Sequence, residues 1–383
     1  MMYQSPHLRE DELAVIDAIK SMRETLRYAI STSARWTGIL RRATLARNIR
    51  GSNSIEGIVV SRDDAMAAVA EEEPLTADRS DWQATVGYRN AMTYVLQLAA
   101  DPHFRYSADL LRGLHFMMVQ YDLSKNPGRW RPGIVYVRDE EKQQTVYEAP
   151  PAEDVAALVE EMCSELNGQS DQPALVRAAM GHLNLVMIHP FSDGNGRMAR
   201  CMQTLILARE MIIEAPFCSI EEYLGRFTQD YYEVLAKTGQ GGWHPENDCR
   251  EWIRFNLTAH YRQAHWLLQR SRITQRVWNE IEETVLRLGL PDRTMLALAD
   301  AAFGYTVRNA TYRKAAELPE LTAGRDLKAL LEAGLLEADG ATRGRVYRSS
   351  LVLKEIYLRH YEKRQNVDPF EVVPTRQMSF PRQ

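Results

Sequence analysis

No stretch of this sequence stays apolar for the roughly 20 residues that a bilayer-crossing helix needs. The polar, acidic opening MMYQSPHLREDELAV also lacks the basic and apolar segments of a secretory leader. A membrane partner is therefore not expected. Cysteine is scarce: the 4 present, Cys163, Cys201, Cys218 and Cys249, form no C-x-x-C pair and stand near no histidine at zinc-ligand spacing. That excludes a disulfide scaffold and points to reduced thiols in a cytoplasmic compartment. A dominant charge is lacking too. With 47 Lys+Arg, 51 Asp+Glu and a net charge of −4, the whole chain has no long-range pull toward nucleic acid or anionic lipid. No internal repeat or low-complexity segment interrupts its 383 residues, which exceed one ordinary core and suggest about two or three domains.

What is present is helix. LAVIDAIKSMRETLRYAI sets Leu13, Ile16, Ile19 and Leu26 at helical spacing. The next helix runs through RWTGILRRATLARNIRGSNSIEG and stops at Gly57, while Glu71 to Glu73 before Pro74 read as a solvated helix end. The pattern changes once in the first 290 residues. Ile134 to Val137 and Thr145 to Tyr147 are short β-forming runs around a charged connection, which predicts a hairpin with a long loop. From about Pro291 the order is helix, helix, helix, basic ribbon, that of a winged helix-turn-helix. The expected architecture is mainly α. A helical region spans 1–100, a core with the small hairpin 101–285, the winged unit 290–352, and a helix end with a loose tail 353–383.

One segment concentrates chemistry: IHPFSDGNGRMAR, Ile188 to Arg200. Pro190 pushes His189 out of helical backbone, so a helix ends there and the imidazole projects into a turn. Phe191 anchors that turn. Gly194 and Gly196 let the backbone aim N–H groups at one point, and a helix starting near Asn195 adds its positive end. Arg197 and Arg200 share one helix face beyond this nest and can clamp further phosphates. Asp193 offers a hard oxygen of the kind that holds magnesium beside phosphates. His189 is the group here able to take a proton near neutral pH. Base, metal ligand and polyphosphate cradle together imply phosphoryl or nucleotidyl transfer to a nucleophile that needs deprotonating.

HPFSDGNGRMAR resembles the Fic family signature H-P-F-x-D/E-G-N-G-R-x-x-R at every specified position. The resemblance implies a Fic-type helical core that moves AMP from ATP to a protein hydroxyl, with pyrophosphate leaving. It makes His189 the base toward a target Ser, Thr or Tyr, and Asp193 the ligand of a Mg²⁺ bridging the α- and β-phosphates. Asn195 and the Gly194 to Gly196 backbone become the anion hole, Arg197 meets the β-phosphate side and Arg200 the γ-phosphate. The hairpin with Arg129, Arg131 and Ile134, Val135, Tyr136 and Val137 looks like the family's target-binding flap. Tyr231 and Tyr232 resemble residues closing the adenine side. SNSIEG fits the family's inhibitory pattern S/T-x-x-x-E-G/N at Ser52, Glu56 and Gly57, which implies a Glu56–Arg200 pair that displaces the triphosphate.

The same glutamate in some relatives supports removal of AMP, so de-AMPylation is an alternative. A second alternative is a DNA-binding regulator that uses the core as a nucleotide sensor, with Arg325 and Lys328 facing DNA and Arg343, Arg345 and Arg348 in the wing. Residues 292–350 hold nine basic and eight acidic side chains, a net of about +1, which is weak for a DNA binder. The candidate partners are thus an unidentified target protein, duplex DNA and a second copy of the chain.

Overall fold

The computed structural model describes residues 1–31, 35–139, 144–209, 213–340 and 345–375. Arg343 of the expected wing lies outside them. The N-terminal region is four helices, α1 (Glu10–Ser31), α2 (Trp36–Ile55), α3 (Arg62–Ala70) and α4 (Arg79–Ala99). Along α1 the buried stripe runs Glu12, Val15, Ile16, Ile19, Arg23, Leu26 and Ile30. Leu13, expected on that face, is 44 % exposed because it sits about 100° round the helix from Glu12. Ser61 and Asp78 start α3 and α4 by accepting from the N–H three residues on, as N-caps do.

The core continues through α5 (Ala108–Val119), the strands β1 (Tyr136–Asp139) and β2 (Gln144–Glu148), and α6 (Val155–Asn167), α7 (Ala174–Ile188) and α8 (Asn195–Arg209). The strands pair antiparallel from Tyr136 opposite Glu148. The first strand thus begins two residues later than the sequence suggested, because the chain is still turning at Pro132 and Gly133. Val135 nevertheless accepts from the Ala149 N–H at 3.1 Å, so the ladder reaches one step further. α7 and α8 pack against each other at the centre, and nearly every residue of α8 is buried. A helix enclosed all round reads as apolar throughout, which makes the arginines within α8 notable.

Short helices α9 (Ala215–Cys218) and α10 (Glu221–Leu224) lead to α11 (Thr228–Gly239) and the 38-residue α12 (Arg250–Arg287). The C-terminal unit follows in the expected order: α13 (Met295–Ala302), α14 (Asn309–Ala315), α15 (Glu320–Glu332), then β3 (Leu336–Asp339) paired antiparallel with β4 (Val346–Ser349). Arg325 and Lys328 are exposed on α15, with Glu332 3.6 Å from Lys328, and Arg345 and Arg348 are exposed on the ribbon. After α16 (Leu351–His360) the tail was expected to be loose, but its described part, up to residue 375, packs down. Short α17 (Pro369–Val372) sets the Phe370 ring 3.6 Å from the Arg254 guanidinium, and Arg262 donates to the Val367 carbonyl at 2.8 Å. That cation–π contact is invisible in a polar, proline-bearing stretch.

One close approach positions the rest. A Cβ on Gly51 of α2 would fall 2.5 Å from the Glu221 carbonyl oxygen of α10, and one on Gly225 would fall 2.7 Å from the Gly51 Cα. α2 therefore meets α10 backbone against backbone, which holds its C-terminal end, residues 52–56, over α8. Gly51→Ala is expected to destabilise the fold by about 1–3 kcal/mol through overpacking. A thermal melt unchanged from wild type would show that this contact is dispensable.

Candidate active site

α7 ends because Pro190 disfavours helical backbone at His189, which turns left-handed at φ 51°. The imidazole Nδ1 lies 3.1 Å from the Val186 carbonyl oxygen. A carbonyl can only accept, so Nδ1 carries the proton and Nε2 keeps its lone pair. Burial has the largest influence on this imidazole and holds it below its usual range. The Val186 bond, Glu56 and Asp193 oppose that effect, and the Arg131 charge adds to it. At neutral pH the group is a neutral base.

The turn beyond it is shaped by Asn195, whose Oδ1 accepts the Phe191 N–H at 2.9 Å and whose Nδ2 donates to the Phe191 carbonyl at 2.8 Å. The Asn195 amide is thus engaged within the turn, and its backbone is what it offers an anion. Gly194 takes φ +78°, and its N–H donates to Asp193 Oδ1 at 2.6 Å. α8 then begins, with the unpaired N–H groups and positive dipole end common to helix starts. Burial alone would raise the Asp193 carboxyl, but Lys125 and Arg197 hold it below the usual carboxylate range.

Both arginines of the motif are 1 % exposed. Arg197 has an Nη2 3.9 Å from Asp193, while its Nε and Nη1 find no partner among the described residues. Buried guanidinium N–H groups are costly to leave unmet, and an anion at the start of α8 would give these donors a partner. Arg200 is met from α2. Its Nε donates to Ser52 Oγ at 2.8 Å, and its Nη2 donates to the Ser52 carbonyl at 3.0 Å and to Glu56 Oε1 at 2.7 Å. Burial has the largest influence on Arg200 and opposes its charge, but Glu56, Tyr231 and Tyr88 together outweigh it and the guanidinium is raised above its ordinary value. Gly196 makes room for this pair, since a Cβ there would stand 2.3 Å from Glu56 Oε1. Gly57, at φ +74°, turns the chain directly after it.

The structure brings Ser52, Glu56, His189, Asp193 and Arg200 to one place. Tyr231 is buried below Arg200 and bonds His182 Nε2 at 2.9 Å. Tyr232, expected with it in a nucleotide pocket, donates to the Ile55 carbonyl at 3.0 Å and so fastens the end of α2. On the hairpin, Ile134 and Tyr136 are exposed, Val135 and Val137 half-buried, and among the described residues β1 pairs with no strand other than β2.

Two positioning residues, His115 and Lys125, escaped the sequence reading, and Arg131 was placed there in the hairpin without this role. His115 of α5 stacks on Phe191 at 3.7 Å, accepts the Gly128 N–H on Nδ1 at 2.9 Å, and holds the Asp193 carbonyl at 3.0 Å through Nε2. Lys125 places its Nζ 2.7 Å from Asp193 Oδ2. Arg131 donates to the His189 carbonyl at 2.8 Å. Of the two that escaped, His115 alone left a trace, a polar side chain on the apolar face of Leu111, Leu114 and Met118. Among the described residues no three His, Cys, Asp or Glu converge as a protein-only metal site. A single ionised Asp193 beside an anion cradle instead suits a hard ion that arrives with phosphates.

Residues 105–207 match the Fic/DOC family. Over 263 residues, 65 % of this chain, the sequence is 26 % identical to the protein adenylyltransferase Fic of Nematostella vectensis. A 51-residue segment is 45 % identical to the protein adenylyltransferase fic-1 of Caenorhabditis briggsae. The chain spans 55 % of the length of the first and 10 % of the second. Among solved structures, a Fic family protein from Desulfovibrio desulfuricans superposes with a TM-score of 0.59 at 23 % identity, covering 91 % of this chain and 99 % of that one. Fic-1 of C. elegans superposes with a TM-score of 0.52 at 19 % identity, covering 67 % and 72 %. These two likenesses establish the fold.

Arg197→Met is expected to weaken binding of inorganic pyrophosphate by roughly 10- to 100-fold, the loss of about 1.5–3 kcal/mol in charge-assisted hydrogen bonds. Calorimetry reads this directly, and an unchanged affinity would mean that the unmet N–H groups face no anion.

Proposed function

This chain carries a Fic/DOC family domain, and from that premise we propose that it transfers AMP from ATP to a hydroxyl of a target protein, itself included. The observation that carries the reading is the combination of a neutral His189 with its proton on Nδ1, and a buried Arg197 whose Nε and Nη1 meet no partner among the described residues, near the start of α8. One supplies a base and the other a seat for polyphosphate. Nε2 takes the proton of the target hydroxyl as its oxygen attacks the α-phosphorus. The new O–P bond forms as the bond to the bridging oxygen breaks, and pyrophosphate leaves. Donors fixed before the reaction stabilise the charge that develops on the phosphate oxygens. Asp193 would hold magnesium together with the nucleotide, where the ion neutralises phosphate charge. The exposed edge of β1 offers a strand-pairing surface for the target segment.

The same reading gives Glu56 a regulatory part. Arg200 is the arginine suited to the terminal phosphate, and Glu56 and Ser52 occupy it. A triphosphate entering beside that pair loses one clamp, and its α-phosphorus is not held in line with the hydroxyl. The ground state is therefore a restrained enzyme. With α-labelled ATP, Glu56→Gly is expected to raise AMP incorporation into the chain or a lysate by at least about tenfold, and adding His189→Ala is expected to abolish it. Equal labelling of wild type and Glu56→Gly would remove the brake from the account. Label that persists without His189 would remove the base.

A further inference from the structure

We infer that Arg131 is a positioning residue that locks the target-binding hairpin to the catalytic histidine, an inference that rests on the AMP-transfer reading. The side chain is 2 % exposed. Its Nε donates to the His189 carbonyl at 2.8 Å, and its Nη1 to the Gly133 carbonyl at 2.6 Å. Nη2 donates to the Pro150 carbonyl, and lies 3.5 Å from that of Ile188. Its main-chain N–H donates to the Pro190 carbonyl at 2.9 Å. Gly133 and Pro150 are the two roots of the hairpin, just before β1 and just after β2, while Ile188 to Pro190 are the turn that presents the imidazole. One planar fork therefore joins both roots of the target-binding element to the backbone of the base. Tyr147 of β2 adds a second tie, donating to the Met187 carbonyl at 2.7 Å. A lysine would bring charge but could not spread its donors over these carbonyls. The arrangement fixes the distance between a hydroxyl carried on β1 and Nε2, the spacing to which an in-line transfer is most sensitive.

Arg131 also sets the charge around the imidazole. The charged groups that act on His189 are Arg131 itself, Glu56 from α2 and Asp193 from the motif turn. Losing the Arg131 cation favours the imidazolium, so the pH below which the base fails moves upward. The test uses Arg131→Met and Arg131→Lys in the Glu56→Gly background. Arg131→Met is expected to keep ATP affinity within about twofold by calorimetry, while its labelling rate at saturating ATP falls roughly 100-fold. The acid limb of its pH–rate profile should move to higher pH. Arg131→Lys should retain the parent's acid limb and recover part of the rate. A rate within threefold of the parent, or a rate loss matched by lost ATP binding, would overturn the inference. If the Glu56→Gly parent does not label at all, the transfer reading fails instead. The His189 titration followed by NMR then decides the linkage: an upward shift in Arg131→Met alone supports it and no shift overturns it.

A separate set of contacts carries a second inference. We propose that the C-terminal unit holds the Glu56 brake in its engaged position. Asp63 at the start of α3 accepts the Thr306 N–H at 2.9 Å and its hydroxyl at 2.6 Å. Arg62 donates to the Phe303 carbonyl at 2.9 Å, Arg308 to that of Glu73 at 2.8 Å, and Lys314 to that of Ala70 at 2.6 Å. On α2, Arg42 faces Asp300 of α13 at 3.4 Å. Every one of these bonds joins the C-terminal unit to α2, to α3 or to the turn just after it, and the corner between those two helices carries Glu56. Asp63→Ala in the otherwise wild-type chain is expected to raise AMP incorporation several-fold, and to add nothing in the Glu56→Gly background. Thr306→Val serves as the milder variant if Asp63→Ala does not fold. Wild-type labelling by a folded variant that binds ATP overturns the proposal. Silence from Glu56→Gly itself overturns the transfer reading on which this proposal also stands.

Discussion

A guanidinium sealed inside a helical core is the constraint around which this molecule is arranged. Arg200 is almost fully enclosed on α8 and must have partners, because a buried charge left alone is strongly destabilising. In the present arrangement Ser52 and Glu56 from α2 are those partners. Three glycines make the contact sterically possible: Gly51 and Gly225 let α2 reach α10, and Gly196 leaves space for the Glu56 carboxylate. On the proposed reading a terminal phosphate would satisfy the same arginine instead, and two anions, one tethered to the chain and the other free in solution, would compete for one cation. Such a competition would turn a packing requirement into a means of control.

The base side of the site is built on the opposite principle. His189 sits in left-handed backbone at the end of α7, where its N–H donates to the Leu185 carbonyl at 3.1 Å, and is held at one tautomer by the Val186 carbonyl. The turn is pinned by Asn195 from within, by His115 of α5, and by Lys125 and Arg131 from the segment between α5 and the hairpin. On the proposed reading the two sides divide the labour: the fixed His189 would keep the geometry of proton transfer constant, and the Glu56–Arg200 pair would decide whether a triphosphate can lie in line.

The motif from His189 to Arg200 was legible in the sequence because its geometry is local. A proline, two glycines and a helix start dictate the backbone, and two arginines three residues apart must share a face. The tie from Ser52 and Glu56 to Arg200 could be read only through family resemblance, since nothing in the spacing of residues 52 and 200 brings them together. The grip of Arg131, Lys125 and His115 on the motif turn was not legible, because each bond is made to a backbone carbonyl or carboxylate some 58 to 78 positions away. Helix content and order followed from periodicity. The errors have separate causes: Leu13 lies just off the buried stripe by helix geometry, a local turn at Pro132 and Gly133 delays the first strand, and tertiary contacts at Arg254 and Arg262 fix the described part of the tail.

The central claim, that Glu56 holds the arginine meant for a terminal phosphate, is tested most directly by comparing ATP with ADP. Calorimetric affinities of both nucleotides would be measured for wild type and for Glu56→Gly. Removing the carboxylate should tighten ATP by roughly tenfold or more while ADP, which lacks the terminal phosphate, changes little. Equal gains for the two nucleotides, or no gain for either, would contradict the claim and leave the Glu56–Arg200 pair with a purely structural part.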